Sequence, residues 1–357
     1  MKKRVGVVST WFARGSGQIA KQIIQAINWH TDYEIALLAR MSIADGRKQL
    51  QFWGEYFFDN ILLYDSYDIS DEDFANWITR NNLDIVIFIE EQHGRKNLIN
   101  VCNKLGVMSC NYIVWEFFSN SELDFYRKFT YLICPTNSCY DRLTDDLLLN
   151  NTKKILWGVD LSFYQWQEPI KKDKPLIFFP AGFGGVNDRK NEDAVIRAFS
   201  YICPRDKMNL HIHTQKEGQA GQAQGIVKTS GTVNNNQLIR YYAESDIVVL
   251  PSRWEGNCLP QQESLALGRP VIVTDCAPLN ERVIEGENGY LVKVKEFKEV
   301  PGIFVKSAEV DVVDFAEKLI LCEDKDLLYS MQIAARKYAE ANLNWFENSR
   351  KLIDILT

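Results

Sequence analysis

The sequence predicts an α/β protein built on two doubly wound parallel sheets. Three observations carry that prediction. Apolar runs of strand length alternate with longer helical patterns along the chain. The runs are apolar on both faces, as strands covered by helices on both sides must be. The chain, at 357 residues with 46% hydrophobic and 25% charged side chains, is long enough to bury two cores.

In chain order, the first series of strands is expected at Val5–Ser9, Glu34–Ala39, Ile61–Tyr64, Asp84–Ile89, Met108–Val114 and Tyr131–Cys134. The second is expected at Leu176–Pro180, Leu210–His213, Ile226–Thr229, Ile247–Leu250 and Val271–Thr274. Between them, helical periodicity covers Gly17–Asn28, Asp71–Asn81, Asn137–Leu149, Glu192–Tyr201 and Asn236–Ala243. The C-terminal residues read as helices over Val312–Leu321, Lys325–Ala341 and Trp345–Leu356. Gln167, Glu168, Pro169 and the polar run Lys171–Lys174 form a linker just ahead of the strand PLIFFP. The domains are therefore expected at 1–166 and 167–342.

Charge and cysteine usage exclude several classes. The net charge of −6 is evenly spread, −3 in residues 1–165 and −3 in 166–357, so nothing attracts nucleic acid in bulk and no polybasic membrane patch stands out. No apolar run approaches the ~18–20 residues a spanning helix needs. The start, MKKRVGVVSTW, breaks at Ser9 and Thr10 before a signal peptide would form its apolar region. A soluble, cytoplasmic chain is expected. Eight cysteines without a C-x-x-C pair read as free, buried thiols in a reducing compartment.

The densest chemical signal begins at Asp246, in DIVVLPSRWEGNCLPQQESLALGRPVIVTD. A strand ends in a loop carrying Glu255 and Gly256. A helix follows, with Pro260 suited to its first turn and Gly268 to its C-cap. Ligands of open α/β sheets bind at such strand ends. The amides of Asn257, Cys258 and Leu259 would face an anion at the helix start, and Gly256 leaves room for its approach. Glu255 and Glu263 would reach that ligand from two points. A glutamate in a first helical turn also simply complements the helix dipole, so these residues alone leave both readings open.

The segment EGNCLPQQESLALGRPVIVTD resembles the E-G-(F)-G-L-P-x-x-E-A-x-A-x-G-x-P-V-V signature of retaining, family-4-type glycosyltransferases (glycosyl transferases group 1) of the GT-B fold. Glu255, Gly256, Leu259, Pro260, Glu263, Gly268 and Pro270 match it, while Asn257, Cys258, Gln262 and Ser264 depart from it. The resemblance implies two Rossmann-like domains facing a central cleft, with a C-terminal helix (about 343–357) returning to the first. It makes Glu263 the ribose-binding residue and Glu255 the donor-sugar residue, with the amides of 256–259 on sugar and phosphate. GVDLSFY (158–164) is similar to the family's segment ahead of the linker. PAGFGGVNDRKNEDAVIRAF (180–199) is similar to its G-R-x-x-x-x-K-G stretch. There Gly182 is the first glycine, Lys190 falls on the diphosphate-binding lysine and Arg189 stands beside it. The family's separate arginine has no equivalent. Read without the family, Arg189 and Lys190 are first of all a solvated pair before a helix.

In the first domain, Gly15 and Gly17 open a helix after the first strand. Such a turn suits phosphate approach but is also a plain tight turn, and the family has a Gly-Gly loop facing donor phosphate here. Many relatives place a histidine after the strand that ends at Val114. This chain has Trp115-Glu116, so Glu116 is either a contact to acceptor or donor or a surface carboxylate. His93 is either an acceptor-side residue or a bystander. His211 and His213 alternate onto one strand face without a third ligand and read as packing residues. The acidic run 68–73 reads as a helix cap with Ser70 or Asp71 as N-cap. No metal and no cofactor are expected.

Trp11, Phe12, Trp29 and Trp53 with Arg14, Lys21, Arg40 and Arg47 either form a surface for weak peripheral contact with a membrane or lie in the core. Together these readings imply a metal-independent hexosyltransferase at the inner face of the membrane. It would take an NDP-sugar, with UDP favoured, and pass the sugar with retention to a hydroxyl on a glycan or lipid-linked acceptor in polysaccharide assembly. The alternatives are an epimerase or hydrolase on the same scaffold, or a silent nucleotide-sugar-binding protein.

Overall fold

The computed structural model describes residues 2–11, 15–40, 60–64, 69–91, 97–114, 116, 118 and 120–357. The chain packs as two compact units, one holding residues up to Trp157 together with Trp345–Thr357, the other Gly158–Asn344. The sequence reading sets the first boundary near residue 166. Packing sets it at Trp157, because the following segment is tied into the second unit. The Val159 N–H donates to the Leu343 carbonyl at 2.9 Å, and the Tyr164 hydroxyl donates to Glu263 at 3.0 Å.

The first unit runs β1 (Arg4–Thr10), α1 (Gly15–His30), β2 (Glu34–Arg40), β3 (Ile61–Tyr64), α2 (Asp71–Arg80) and β4 (Ile85–Ile89). It continues through α3 (Leu98–Leu105), β5 (Met108–Tyr112), α4 (Leu123–Tyr126), β6 (Tyr131–Cys134), α5 (Asn137–Asp141) and β7 (Thr152–Lys154). The seven strands pair in parallel in the order β3-β2-β1-β4-β5-β6-β7. The order turns back between β1 and β4, the switch where such sheets leave a crevice. All of β4, IVIFI, is buried, as an unbroken apolar run in a doubly covered sheet should be. The acidic run does cap α2: Ser70 Oγ accepts from the Asp73 N–H at 3.0 Å, with carboxylates in the first turn.

The second unit runs β8 (Leu176–Gly182), α6 (Glu192–Ile202), β9 (Asn209–Thr214), β10 (Gly221–Ala223), β11 (Ile226–Ser230), α7 (Asn235–Glu244) and β12 (Ile247–Leu250). Then come α8 (Leu259–Ala266), β13 (Val271–Thr274), β14 (Gly289–Val292), β15 (Val294–Lys298), β16 (Ser307–Val310), α9 (Val312–Leu321) and α10 (Lys325–Asn342). Its main sheet is ordered β10-β11-β9-β8-β12-β13-β14, parallel except for β10, and turns back between β8 and β12. Successive strand residues serve opposite faces: Phe179, Ile247 and Val249 join one apolar cluster, Phe178, Val248 and Leu250 the other. The pair β15–β16 is a separate antiparallel hairpin.

Two helices differ from the sequence reading. The pattern over 137–149 ends as α-helix at Asp141 and continues as a π-helical turn, Arg142–Asp146. The pattern over 345–356 breaks at Ser349 into α11 (Trp345–Asn348) and α12 (Arg350–Leu356). These last helices belong to the first unit, where Trp345 stacks on Trp157 with ring centroids 4.1 Å apart. Both indole N–H groups bond Gln22 of α1, Trp157 at 2.7 Å on Oε1 and Trp345 at 2.9 Å on the carbonyl. Each buried indole removes about 150–250 Å² from water, so the pair anchors the tail by several kcal/mol before entropy is counted.

Candidate functional site

In the second unit the C-terminal ends of β8 and β12, flanking the switch in strand order, carry the residues singled out from the sequence. Beyond β12, the chain reaches Glu255 and Gly256 and turns into α8 through Cys258. Cys258 holds a left-handed conformation, φ 52°, which costs a non-glycine residue about 1–2 kcal/mol and is usual where a site demands it. Glycine is common at this motif position, and the conformation explains why.

Glu255 is 3% exposed and is met by two cations. Lys190 Nζ lies 2.6 Å from Oε1 and Arg189 Nη1 3.3 Å from Oε2. Burial pushes the Glu255 carboxyl up, but the charges of Arg189 and Lys190 outweigh it and hold its pKa at about 2. The carboxylate is therefore ionised and is met by both cations. The solvated-pair reading of Arg189-Lys190 does not hold for Lys190, which is 8% exposed.

Glu263, in α8, is likewise buried. The Tyr164 hydroxyl donates to Oε1 at 3.0 Å and the Tyr242 hydroxyl to Oε2 at 3.1 Å. Burial raises the Glu263 pKa, while the two phenols and the charge of Lys190 oppose that rise. Both phenols are themselves pushed well above their ordinary value, by burial and then by the Glu263 charge, so they stay donors. Sequence reading missed both tyrosines. Tyr164 ends the GVDLSFY segment and was the one legible signal.

Two departures from the motif turn out to be partners. Gln262 Nε2 donates to Asn257 Oδ1 at 2.8 Å and to its carbonyl at 3.1 Å. Buried Arg282 repeats the pattern, Nη2 to Oδ1 at 2.9 Å and Nη1 to the carbonyl at 3.0 Å. The backbone entering α8 is thus fixed from both sides. Gly182 ends β8 at φ 55°, and Gly184 and Gly185 follow at 78° and 75°, so the turn beside Lys190 uses conformations glycine adopts freely.

His211 and His213 are buried and share the Thr229 hydroxyl, each at 2.9 Å. Burial lowers both, His213 to about 4, with His211 beside it adding to the effect. They are packing residues, as the sequence indicated. Among the described residues, no group of three or more His, Cys, Asp and Glu side chains is arranged to hold a metal ion.

Gly15, Gly17 and Glu116 belong to the first unit. Gly15 heads α1, and Gly17 is buried within it. Glu116 is buried, which removes the surface-carboxylate reading. His93 lies outside the described residues, as do Phe12, Arg14, Arg47, Trp53 and Trp115. The sequence missed a buried ion pair at the strand ends of this unit, Arg40 Nη1 to Glu91 Oε2 at 2.7 Å, with the Glu91 N–H on Asn111 Oδ1 at 3.3 Å. Arg40 and Trp11 are both buried, and Trp29 packs on Phe346 with centroids 5.5 Å apart. The exposed tryptophan–arginine surface is therefore not formed by Trp11 and Arg40. Among the described residues, no helix is long and apolar enough to cross a membrane.

Residues 174–301 match the family model described as glycosyl transferases group 1. A 70-residue stretch, 20% of this chain and 20% of the relative, is 37% identical to a 41.2 kDa protein in the cps region of Klebsiella pneumoniae. A 169-residue stretch, 40% of this chain, is 26% identical to the lipopolysaccharide core biosynthesis mannosyltransferase LpsB of Rhizobium meliloti, covering 47% of it. The matched stretches thus span less than half the length of these curated relatives. The fold extends further. Anabaena Alr3699/HepE, solved with UDP and glucose, superposes with a TM-score of 0.72 at 12% identity over 100% of this chain and 99% of that one. The chain has the GT-B fold, and over residues 174–301 it is similar to the group 1 glycosyl transferases.

Proposed function

We propose that this chain is a glycosyltransferase that moves a hexosyl unit from a nucleoside diphosphate sugar to a hydroxyl acceptor, with retention at the anomeric carbon. The observation that carries the reading is the convergence of Arg189 and Lys190 on Glu255 at the sheet's switch point, with a second buried carboxylate, Glu263, in the adjoining helix. A diphosphate arriving there meets two cations that it can draw from Glu255, and the amides at the start of α8 add to the positive field. Glu255, ionised at neutral pH, then accepts hydrogen bonds from the donor sugar's hydroxyls. Glu263 accepts from the ribose hydroxyls on its remaining lone pairs. The leaving diphosphate, rather than a protein base, takes the acceptor's proton, and the protein supplies position and charge stabilisation.

UDP is the favoured nucleotide, in keeping with the Anabaena protein, which was solved in complex with UDP and glucose. The mannosyltransferase and cps-region relatives support a place in bacterial polysaccharide or glycoconjugate assembly, at the inner face of the membrane, with a glycan or lipid-linked acceptor. No metal takes part in this scheme, so activity is expected to survive a chelator.

Thermal unfolding of wild type and Glu263→Ala against UDP, GDP, ADP and CDP tests the reading. A ligand at about 100 times its Kd adds about 2.7 kcal/mol, a shift of several degrees. One diphosphate should stabilise the wild type and not the variant. Transfer from the matching NDP-sugars, followed by NMR of the product's anomeric centre, then tests retention. Stabilisation by none of the four removes the reading. Product formed without any acceptor would favour an epimerase or hydrolase, and binding without turnover a silent protein.

A further inference from the structure

The turn leaving β8 is crossed by the end of its neighbour, β9. The Gly182 carbonyl accepts two hydrogen bonds from that end, the Thr214 hydroxyl at 3.0 Å and the Gln215 N–H at 2.8 Å. The Thr214 oxygen in turn accepts from the Lys216 N–H at 3.2 Å. These bonds fold residues 215 and 216 back over the turn, and the Lys216 ammonium comes to rest where a side chain on Gly184 would begin. A Cβ placed on Gly184 would lie 2.9 Å from Nζ. The same glycine is tied to the cation pair already described, because its carbonyl accepts the Lys190 N–H at 3.0 Å. Gly184 thus has the Lys216 ammonium against its α-carbon and the Lys190 backbone on its carbonyl.

We propose that Lys216 is a third cation of the phosphate site and binds the diphosphate of the nucleotide sugar across the glycine turn. The inference rests on the function proposed above and extends it to a residue outside the family motif. Charge argues for it. A nucleoside diphosphate carries about two to three negative charges, whereas Arg189 and Lys190 are both already engaged with Glu255. Among the described residues, no carboxylate forms an ion pair with Lys216, so its charge is available without breaking a bond. Sterics argue for it too. Gly182, Gly184 and Gly185, all at positive φ, put no side chain of their own in the way of a phosphate approaching the ammonium.

The test is calorimetric titration of the full chain, as wild type, Lys216→Met and Lys216→Arg, with UDP, GDP, ADP and CDP and with the four matching nucleosides. For the diphosphate that binds the wild type, Lys216→Met should weaken affinity about fivefold, the size of a charge contact made by an exposed side chain. The nucleoside should bind both proteins within about twofold, and Lys216→Arg should recover most of the loss. The salt dependence of diphosphate binding should also flatten in Lys216→Met. Equal diphosphate affinity in wild type and Lys216→Met overturns the proposal and leaves the function intact. Equal weakening of nucleoside and diphosphate overturns it as well, since Lys216 would then shape the base pocket or the loop. A wild type that binds no diphosphate overturns both.

Discussion

Replacing Lys190 by methionine removes one of the two cations that hold Glu255, and the structure sets the size of the effect. Glu255 sits at about 2 in the fold against an ordinary 4.5. That gap corresponds to roughly 3 kcal/mol of stability at neutral pH. Because the folded pKa is depressed, the contribution is fully present above 4.5 and is lost as pH falls through 4.5 toward 2. Lys190 makes the shorter contact, 2.6 Å against 3.3 Å for Arg189. Removing one partner of a buried pair costs about 3–5 kcal/mol when nothing else remains. With Arg189 still in place, the expected loss is about 2 kcal/mol at pH 7. Urea unfolding of wild type and Lys190→Met, followed by tryptophan fluorescence between pH 7 and pH 3, reads it directly. Because the unfolded carboxyl is common to both proteins, the gap should hold until pH falls to the variant's own folded pKa. That loss puts this pKa about 1.5 units above the wild type's, and the gap should shrink from there toward pH 3. In a Glu255→Gln background, the lysine should matter much less at any pH. A gap that stays constant from pH 7 to pH 3 would refute the reasoning, since the lysine would then stabilise by packing and not by holding a carboxylate.

Other consequences are open to similar tests. Tyr164→Phe or Tyr242→Phe each removes a donor from buried Glu263 and should cost about 1–3 kcal/mol in urea unfolding. Either change should also raise the Glu263 pKa further, seen as nucleotide binding that weakens at a higher pH than in wild type. Trp345→Ala should destabilise the first unit by about 3–5 kcal/mol, because it empties a stacked and hydrogen-bonded site beside Trp157. His213, held near 4 by burial against an ordinary 6.5, binds fewer protons folded than unfolded. Stability should therefore fall as pH drops from 6.5 to 4, and His213→Gln should flatten that part of the profile.

The strand framework was legible because buried parallel strands leave an unmistakable pattern. IVIFI, IVVL and VIVT are apolar at every position and appear as β4, β12 and β13. The same logic fails for β10 and β15, whose residues are mostly exposed and carry no apolar signature. The helix expected over 137–149 is too long because its apolar spacing persists while its hydrogen bonding shifts to π-helical at Arg142. The domain boundary was set late because proline and lysines mark a polar stretch, and composition says nothing about which core holds Tyr164. In the site, Glu255, Lys190 and Glu263 were legible through a local motif. Tyr242 and Lys216 were not, because each reaches the site from a separate element and only the strand order of β9, β8 and β12 brings them together.

That distinction bears on how the motif departures should be read. Taken along the sequence, Asn257 and Gln262 look like two independent substitutions in a donor-binding stretch. In the fold they are one unit. The Asn257 side chain and carbonyl are each held by both Gln262 and Arg282, so changing either neighbour loosens the backbone that positions the amides ahead of α8. Cys258, next along, must hold a left-handed conformation without glycine's freedom. The network on Asn257 fixes the residue just before that strained position, and it makes up for the ease that glycine would have provided. The prediction is directional. Gln262→Ala alone should weaken diphosphate binding and stability together, whereas adding Cys258→Gly should restore part of the stability by relieving the strained turn. Urea unfolding of both variants decides it, and a double variant no more stable than Gln262→Ala would show that the left-handed turn at Cys258 holds no strain for glycine to relieve.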